Sequence, residues 1–423
     1  MNKSARTLCS DDARSRFILS EVGESPYVMM DLHDVVLDFN LAEAPRPETL
    51  REEDEYFNAL QKGTFQLPCS QSESAPPYVN HFSHFYNAIA FERGRDAAAP
   101  FGGACSEIVE TPTLLVTRYE YANLYHQLTD FINAEIALAL IGRDALAHVR
   151  VEFFDGHQRS SLDDFWKRAF DNGEDLPTPA SPAAATNESG DASATAAASA
   201  ASMLSELHTR FRHRAGASRV CFRRLILPSP GYVSRLFVNS NYADACRMPS
   251  ALMARLRDRV LRSFDVDEDG ALEKPGRCVA IVRRDYKSHP RNTDGVITRQ
   301  FADESVIGRA AKSVGLRCEL IDLAQLTFAE QVRAVADASI VLGVHGAGLA
   351  LAFLQPAGST LIELRIAGGY SHFENIAQQS GVRYIGVTQR HGHASHGSRH
   401  VHVSESQLRA ALFAASRHAP FEH

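Results

Sequence analysis

Ser339 to Leu364 reads SIVLGVHGAGLALAFLQPAGSTLIEL, and the reading of this stretch decides the fold. Ser339 to Gly343 has the continuous apolar character of a fully buried strand, which runs into Val344-His345-Gly346-Ala347-Gly348-Leu349. The glycines open a short apolar helix, and Gln355-Pro356-Ala357-Gly358 ends it, because Pro and Gly cannot continue it. A second buried strand, Ser359 to Leu364, completes a βαβ unit. The strand-to-helix turn from His345 to Leu349 predicts exposed backbone N–H groups at the positive end of a helix dipole, where a pyrophosphate fits. Glu363 ends the second strand on the ligand-binding edge of an open sheet, placed to accept hydrogen bonds from a ribose. Close packing of the helix on the sheet explains Gly346 and Gly348 equally well at this level.

Outward from this unit, a strand at Val279 to Val282, a helix at Asp303 to Val314, a strand at Cys318 to Asp322 and a helix at Phe328 to Ala336 alternate as in a doubly wound parallel sheet. Arg283 and Arg284 end the first strand, with Arg291 and Arg299 beyond a polar loop. Guanidinium forks in such a place suit phosphate oxygens. His391, His393, His396, His400 and His402 lie in a Gly/Ser-rich tail and read as exposed.

The first half is less regular. Up to Ala104 the chain reads as irregular surface structure. Leu114 to Val116 predicts a strand and Tyr119 to Leu140 a helix, with Leu124, Leu128, Phe131 and Ile132 as its apolar stripe. Asn123, His126 and Asp130 share the opposite face at spacings of three and four, so that Asp130 could orient His126 or raise its basicity. A solvated helix face has the same pattern. Val149 to Phe154 predicts a strand, and Trp166 a core anchor on the helix that follows. Leu176 to Ser202 is nearly all Pro, Ala, Ser, Thr, Asn and Gly, and reads as a disordered insertion that includes an Asn187 sequon. Asp265-Val266-Asp267 begins like a calcium loop, but position twelve falls on Gly276, and the acidic run reads as an inter-domain linker.

A net charge of −7 over 423 residues supplies no electrostatic footprint for nucleic acid. No run approaches the roughly 18 apolar residues of a membrane span. The seven cysteines have no CxxC spacing, which argues against a zinc knuckle or a disulfide scaffold and allows one or two bridges.

Several of these segments occur together in a specific order. ETPTLLVTRYEYANLYHQLTDF, VEFFDGH with Phe165-Trp166 downstream, VCFRRLILPSPGY, VRRDYKSHPR with TRQFADE, and QVRAVADASIVLGVHGAGL resemble the family-61 glycosyltransferases. Within that family they are most similar to the plant-type core β-1,2-xylosyltransferases, over Glu110 to Tyr384. The resemblance implies an α/β, GT-B-like architecture of two Rossmann-type domains facing a cleft. It places an acceptor-side domain at 106–264, with the 176–202 insertion, and a nucleotide-sugar-binding domain at 277–390. Residues 1–105 precede these and a His-rich tail with a C-terminal helix, 391–423, follows. It further implies inverting transfer from a UDP-sugar without an obligatory cofactor or metal. His345, Gly346, Ala347, Gly348, Leu349, Glu363, Arg283 and Arg299 would hold the donor, and Asp130, His126 and Asn123 would do the acceptor-side chemistry. The expected reaction moves xylose from UDP-xylose onto the core mannose of an N-glycan or glycoprotein acceptor. A protein O-linked transferase using UDP-N-acetylglucosamine and a catalytically inactive binding protein are the alternatives. The resemblance implies a Golgi location, although no signal or anchor segment is found in this sequence, and it leaves the oligomeric state open. The family has Thr after HGAGL where this chain has Ala350-Leu351, and Asn where it has Ala302.

Overall fold

The computed structural model describes residues 2–22, 25–42, 60–72, 82–92, 101, 103, 105–118, 120–142, 149–155, 160, 162–170, 219–234, 236, 249–266, 277–286, 295–366, 372–388 and 397–417. The proposed insertion at 176–202, with its sequon, lies outside them, as do Arg291, Asp267, His391, His393 and His396. The described residues fall into two compact units. One takes in those up to Tyr121 and those from Thr129 to Ser234, and the other Ala122–Leu128 and those from Arg235 onward.

In the first unit, β1 (Asn2–Thr7), β2 (Arg16–Val22) and β3 (Ser25–Asp38) form an antiparallel meander, so the N-terminal region is sheet and not irregular surface. Its apolar runs are interrupted by charged residues such as Asp31, Asp34 and Asp38, which the sheet buries. Asp31, fully buried, is held by Arg16 and Arg224, which keeps the carboxylate paired inside the sheet. Two short strands, β4 (Phe65–Leu67) and β5 (Ile89–Phe91), with helix α1 (Ser83–Asn87) between them, extend this edge. The central strand β9 (Arg219–Leu227) pairs antiparallel with β3 and parallel with β6 (Glu107–Val109) and β7 (Thr113–Val116). Strand β8 (Arg150–Phe153) lies parallel beyond β7, giving the order β1-β2-β3-β9-β7-β8. The sheet is therefore mixed, where the sequence suggested a Rossmann-like parallel one.

Helix α2 (Leu124–Ile141) is buried almost all round. The expected solvated face is absent, since Gln127, Thr129, Asp130, Asn133 and Glu135 are each at most 3 % exposed. The Asn133 amide donates to the carbonyls of Ser229 and Pro230, so part of that polar face fixes the turn after β9. Trp166, on α3 (Asp163–Phe170), is fully buried against Phe131, Phe153 and Phe170, as a core anchor should be.

The second unit holds a five-stranded all-parallel sheet of β10 (Cys278–Val282), β12 (Cys318–Asp322), β13 (Ile340–Val344), β14 (Thr360–Leu364) and β15 (Arg383–Val387). Its spatial order is β12-β10-β13-β14-β15. A separate parallel pair joins β11 (Gln300–Phe301) to β16 (His400–Val401), so part of the expected tail is strand. Helix α4 (Ala251–Ser263) belongs to this unit and not to the first. Helices α5 (Ser305–Ser313) and α8 (Glu405–Ser416) share one core with Ala280, Leu342 and Ile362 on one sheet face. The other side carries a 3-10 helix at Ala347–Leu354, packed among α4, α6 (Phe328–Ala336) and α7 (His372–Gln379). Both faces are covered, which is why the strands read as unbroken apolar runs.

Six of the seven cysteines pair, Cys9 with Cys69, Cys105 with Cys221 and Cys278 with Cys318. Three bridges replace the one or two that the scattered spacing allowed, because the sheet registers bring distant cysteines together.

Replacing Trp166 by Ala should lower stability by about 3–5 kcal/mol, as for other large buried aromatics. Phe413, 52 % exposed on α8, should change it by less than about 0.5 kcal/mol when made Ala. Urea unfolding of the two variants would check both; equal effects would contradict the assigned core.

Candidate active site

In chain order β10 comes first, β12 falls on one side of it and β13 on the other. This reversal opens a crevice at the carboxyl ends of β10 and β13, the place where open α/β sheets take ligands. Arg283 follows β10 directly, and His345-Gly346 follow β13. The two ends meet, since a Cβ added at Gly346 would collide with the Arg283 guanidinium. At Gly348 a Cβ would lie 2.7 Å from Leu323 Cδ1. The two glycines thus do different work. Gly348 permits close packing, whereas Gly346 lets a cation lie against the turn. Val282, Tyr286, Leu323, Gly348 and Leu349 complete the wall of this recess.

The helix after the glycines is a 3-10 segment capped at Gly346, and the Leu349 N–H already donates to the Gly346 carbonyl at 2.9 Å. Its 3-10 winding weakens the expected dipole argument and transfers the anion-binding role towards arginine. Ala350 and Leu351 are fully buried, so the residues that stand where the family has Thr do not face the recess.

Arg299 joins Arg283 there. Burial first, and the charge of Arg283 second, push the Arg299 guanidinium down to about 10. Arg283 is shifted down as well, chiefly by burial. Its Nε and that of Arg299 are buried without a hydrogen bond, and among the described residues no carboxylate forms an ion pair with either. Arg284, by contrast, is exposed and paired with Glu304. The Arg299 backbone sits at φ 63°, a left-handed conformation uncommon for a bulky residue, and is held there by its N–H bond to Ser398 beside the β11–β16 pair. Two neighbouring guanidinium groups, one of them against the Gly346 turn, suit a multiply charged anion.

Glu363, expected to accept from a ribose, is 1 % exposed with both oxygens engaged inside the protein. One oxygen accepts from His345 Nδ1 and the other from the Tyr384 hydroxyl. The carboxylate thereby ties His345 to Tyr384. Tyr384 was missed in the sequence, where an Arg-Tyr-Ile-Gly-Val strand carries no sign of a partner on the neighbouring strand.

The first turn of α2 also belongs to this unit. Asn123 accepts the Tyr125 N–H at 3.0 Å and so caps the helix, a structural duty that its assignment to the chemistry did not foresee. Tyr125 stacks on His372 at 4.6 Å and meets Phe373 edge-on, and Phe373 meets His345 at 5.0 Å. His126 and His345 thus belong to one aromatic cluster. Burial, then the neighbouring His372, drives His126 down to about 3. That is opposite to the gain in basicity expected from Asp130. Asp130 lies in the first unit, 3 % exposed, with its carboxylate packed on Gly231 so closely that no Cβ would fit there.

Asp265 is exposed at a helix end, and among the described residues no three His, Cys, Asp or Glu side chains converge.

The His126 shift has a measurable sign. Its folded value lies below the ordinary imidazole value of 6.5, so the unfolded chain takes up the proton first on acidification. The corresponding stability is present above about pH 6.5 and is lost as pH falls towards 3. Melting temperature should therefore fall less steeply between pH 7 and 5 in His126→Gln than in the native chain, and equal slopes would refute the assignment.

Comparison with known proteins identifies the family. Residues 124–362 match the Glycosyltransferase 61 family. The β-1,2-xylosyltransferase of Arabidopsis thaliana is 30 % identical over 66 % of this chain and 52 % of its own length. The β-1,2-xylosyltransferase RCN11 of Oryza sativa subsp. japonica is 29 % identical over 67 % of this chain and 50 % of its own. An EGF domain-specific O-linked N-acetylglucosamine transferase of Bos taurus is 23 % identical over 75 % and 51 % respectively. The chain spans about half the length of these relatives. A solved flavodiiron protein from Giardia intestinalis aligns over 51 % of this chain and 47 % of its own, at a TM-score of 0.22 and 7 % identity, too low to bear on the fold. The chain belongs to the glycosyltransferase 61 family.

Proposed function

We propose that this protein is an inverting glycosyltransferase that uses a UDP-sugar, with xylose moved from UDP-xylose to the core mannose of an N-glycan in β-1,2 linkage. The observation that carries the donor half is the Arg283–Arg299 pair, two cations with no carboxylate partner among the described residues, at the topological reversal of a parallel sheet. A diphosphate supplies the missing charge. The pair also gives the leaving group the positive field that a bound metal provides elsewhere, so no obligatory metal is proposed. Identity to the two plant enzymes favours xylose. The longer alignment to the bovine transferase keeps UDP-N-acetylglucosamine and a protein hydroxyl as the second reading.

In the reaction, an acceptor hydroxyl attacks the anomeric carbon and the bond to the UDP oxygen breaks. UDP leaves with the electron pair, met by Arg283 and Arg299, and the hydroxyl proton passes to a base. We assign that base to His126, which shares the cluster of His345 and is neutral, able to accept. Its low basicity arises from burial and from His372, and the negative diphosphate acts in the opposite direction. Asn123 and Asp130 support it by capping and packing. A GT-B arrangement, with the first unit on the acceptor side, is part of this proposal. Three disulfides suit an oxidising compartment, consistent with the Golgi.

Arg283→Gln and Arg299→Gln should each weaken UDP binding roughly tenfold to a hundredfold in isothermal titration, the worth of a charge-assisted phosphate contact. Wild-type affinity in both would remove the donor assignment. His126→Ala should keep UDP affinity and lower turnover by about 10²–10⁴. Full turnover there, with an inactive Asp130→Asn, would transfer the base role to Asp130. Transfer should persist in EDTA, and a loss restored by manganese would overturn the metal-free reading. Assays with each UDP-sugar on N-glycan and folded-protein acceptors would decide the donor and acceptor.

A further inference from the structure

Asp285 lies two residues beyond Arg283, where the chain leaves β10, and its carboxylate reaches the segment that carries Arg299. Oδ1 accepts from the Ile297 N–H at 3.0 Å and from the Gln300 side-chain amide. That amide also donates to the Ile297 carbonyl at 2.9 Å, so Ile297 and Gln300 close around the one oxygen. Oδ2 accepts at 2.6 Å from the guanidinium of Arg399, which directly precedes β16. The Ile297 N–H first, then Gln300 and Arg399, hold this carboxyl below its usual range, so it is ionised at neutral pH and accepts on both oxygens.

These contacts enclose Arg299. Ile297 stands two residues before it and Gln300 directly after it. The Arg299 N–H donates to the Ser398 carbonyl at 2.8 Å, and the Gln300 N–H to the Arg399 carbonyl at 2.8 Å. A left-handed backbone at φ 63° persists in a long side chain only where its neighbours are fixed. Asp285 fixes those neighbours from the same strand end that carries Arg283. Its ion pair goes to Arg399, so it ties the Arg299 segment down without occupying either crevice arginine.

Resting on the diphosphate reading above, we propose that Asp285 is a positioning residue for the donor: it couples the Arg299 segment to the Arg283 end of β10 and so sets the spacing of the two guanidinium groups. One carboxylate makes the link, and two of its three partners flank Arg299 along the chain. Asp285 is itself exposed, and an exposed ion pair adds little to overall stability, so its removal loosens this segment and leaves the fold intact. A freed Arg299 samples other backbone conformations, and the cost of ordering it again opposes diphosphate binding. Asparagine is an informative half-step. It keeps an oxygen for the Ile297 N–H and loses the charge that meets Arg399.

Isothermal titration of the full chain with UDP tests this as a cycle of Asp285→Ala, Arg299→Gln and the double variant. Asp285→Ala should weaken binding roughly three- to tenfold and Asp285→Asn by less. In the Arg299→Gln background the same Asp285→Ala change should cost under about twofold, because a residue that acts through Arg299 has nothing left to act on. Unchanged affinity in Asp285→Ala, or an equal loss in both backgrounds, overturns the proposal. Amide hydrogen exchange without nucleotide gives a second readout. The Arg299 and Gln300 N–H groups should exchange faster in Asp285→Ala, while β13 and β14 keep their native rates. Native exchange at those two amides overturns the proposal, whatever UDP does. Failure of the native chain to bind UDP would count against the diphosphate reading instead, and the exchange result would still decide whether Asp285 holds the Arg299 segment. Should Asp285→Ala not melt cooperatively, the same comparisons with Asp285→Asn decide.

Discussion

Repulsion between Arg283 and Arg299 is the constraint on which the second unit depends. Like charges in a partly buried place are unfavourable unless something else fixes them. Here several features do. Gly346 leaves room for one guanidinium, and the β11–β16 pair holds the other at a left-handed backbone. A left-handed Arg299 backbone and a neighbouring like charge are features that the proposed donor site would explain.

The remaining features of the crevice divide into those that attract charge and those that aim a side chain. The arginines attract. Glu363 bonds the His345 ring, and Tyr384 bonds Glu363. The aromatic contacts among Tyr125, His372 and Phe373 bring the start of α2 to the same neighbourhood. Helix α2 is therefore shared between duties. Its first turn joins the second unit, and its buried polar residues further on secure the turn after β9 in the first.

Buried polar residues on α2 also explain why its sequence pattern misled. An amide, an imidazole and a carboxylate on one helical face suggest either solvent or a catalytic row. Periodicity cannot distinguish these from a polar face satisfied by backbone carbonyls of a distant turn, as Asn133 is by Ser229 and Pro230. The same limit applies to Asn123, whose side chain caps the helix that it was expected to serve chemically.

The sequence by itself determined the elements of the second unit, from Val279 through Leu364, because a parallel strand buried on both faces must be apolar throughout and its turns need Gly or Pro. The family resemblance, and not the local pattern, grouped Arg283, Arg299 and the His345 turn as one candidate site. The sequence did not determine the order of those strands, and that order alone places Arg283 against Gly346. Nor did it show the N-terminal meander, where ion pairs such as those of Asp31 put charge at buried positions. Disulfide pairing, the Tyr384–Glu363–His345 chain and the sense of the His126 shift were likewise decided only in three dimensions. Each depends on contacts between residues distant in the chain, whereas local pattern reports only which side chains avoid water.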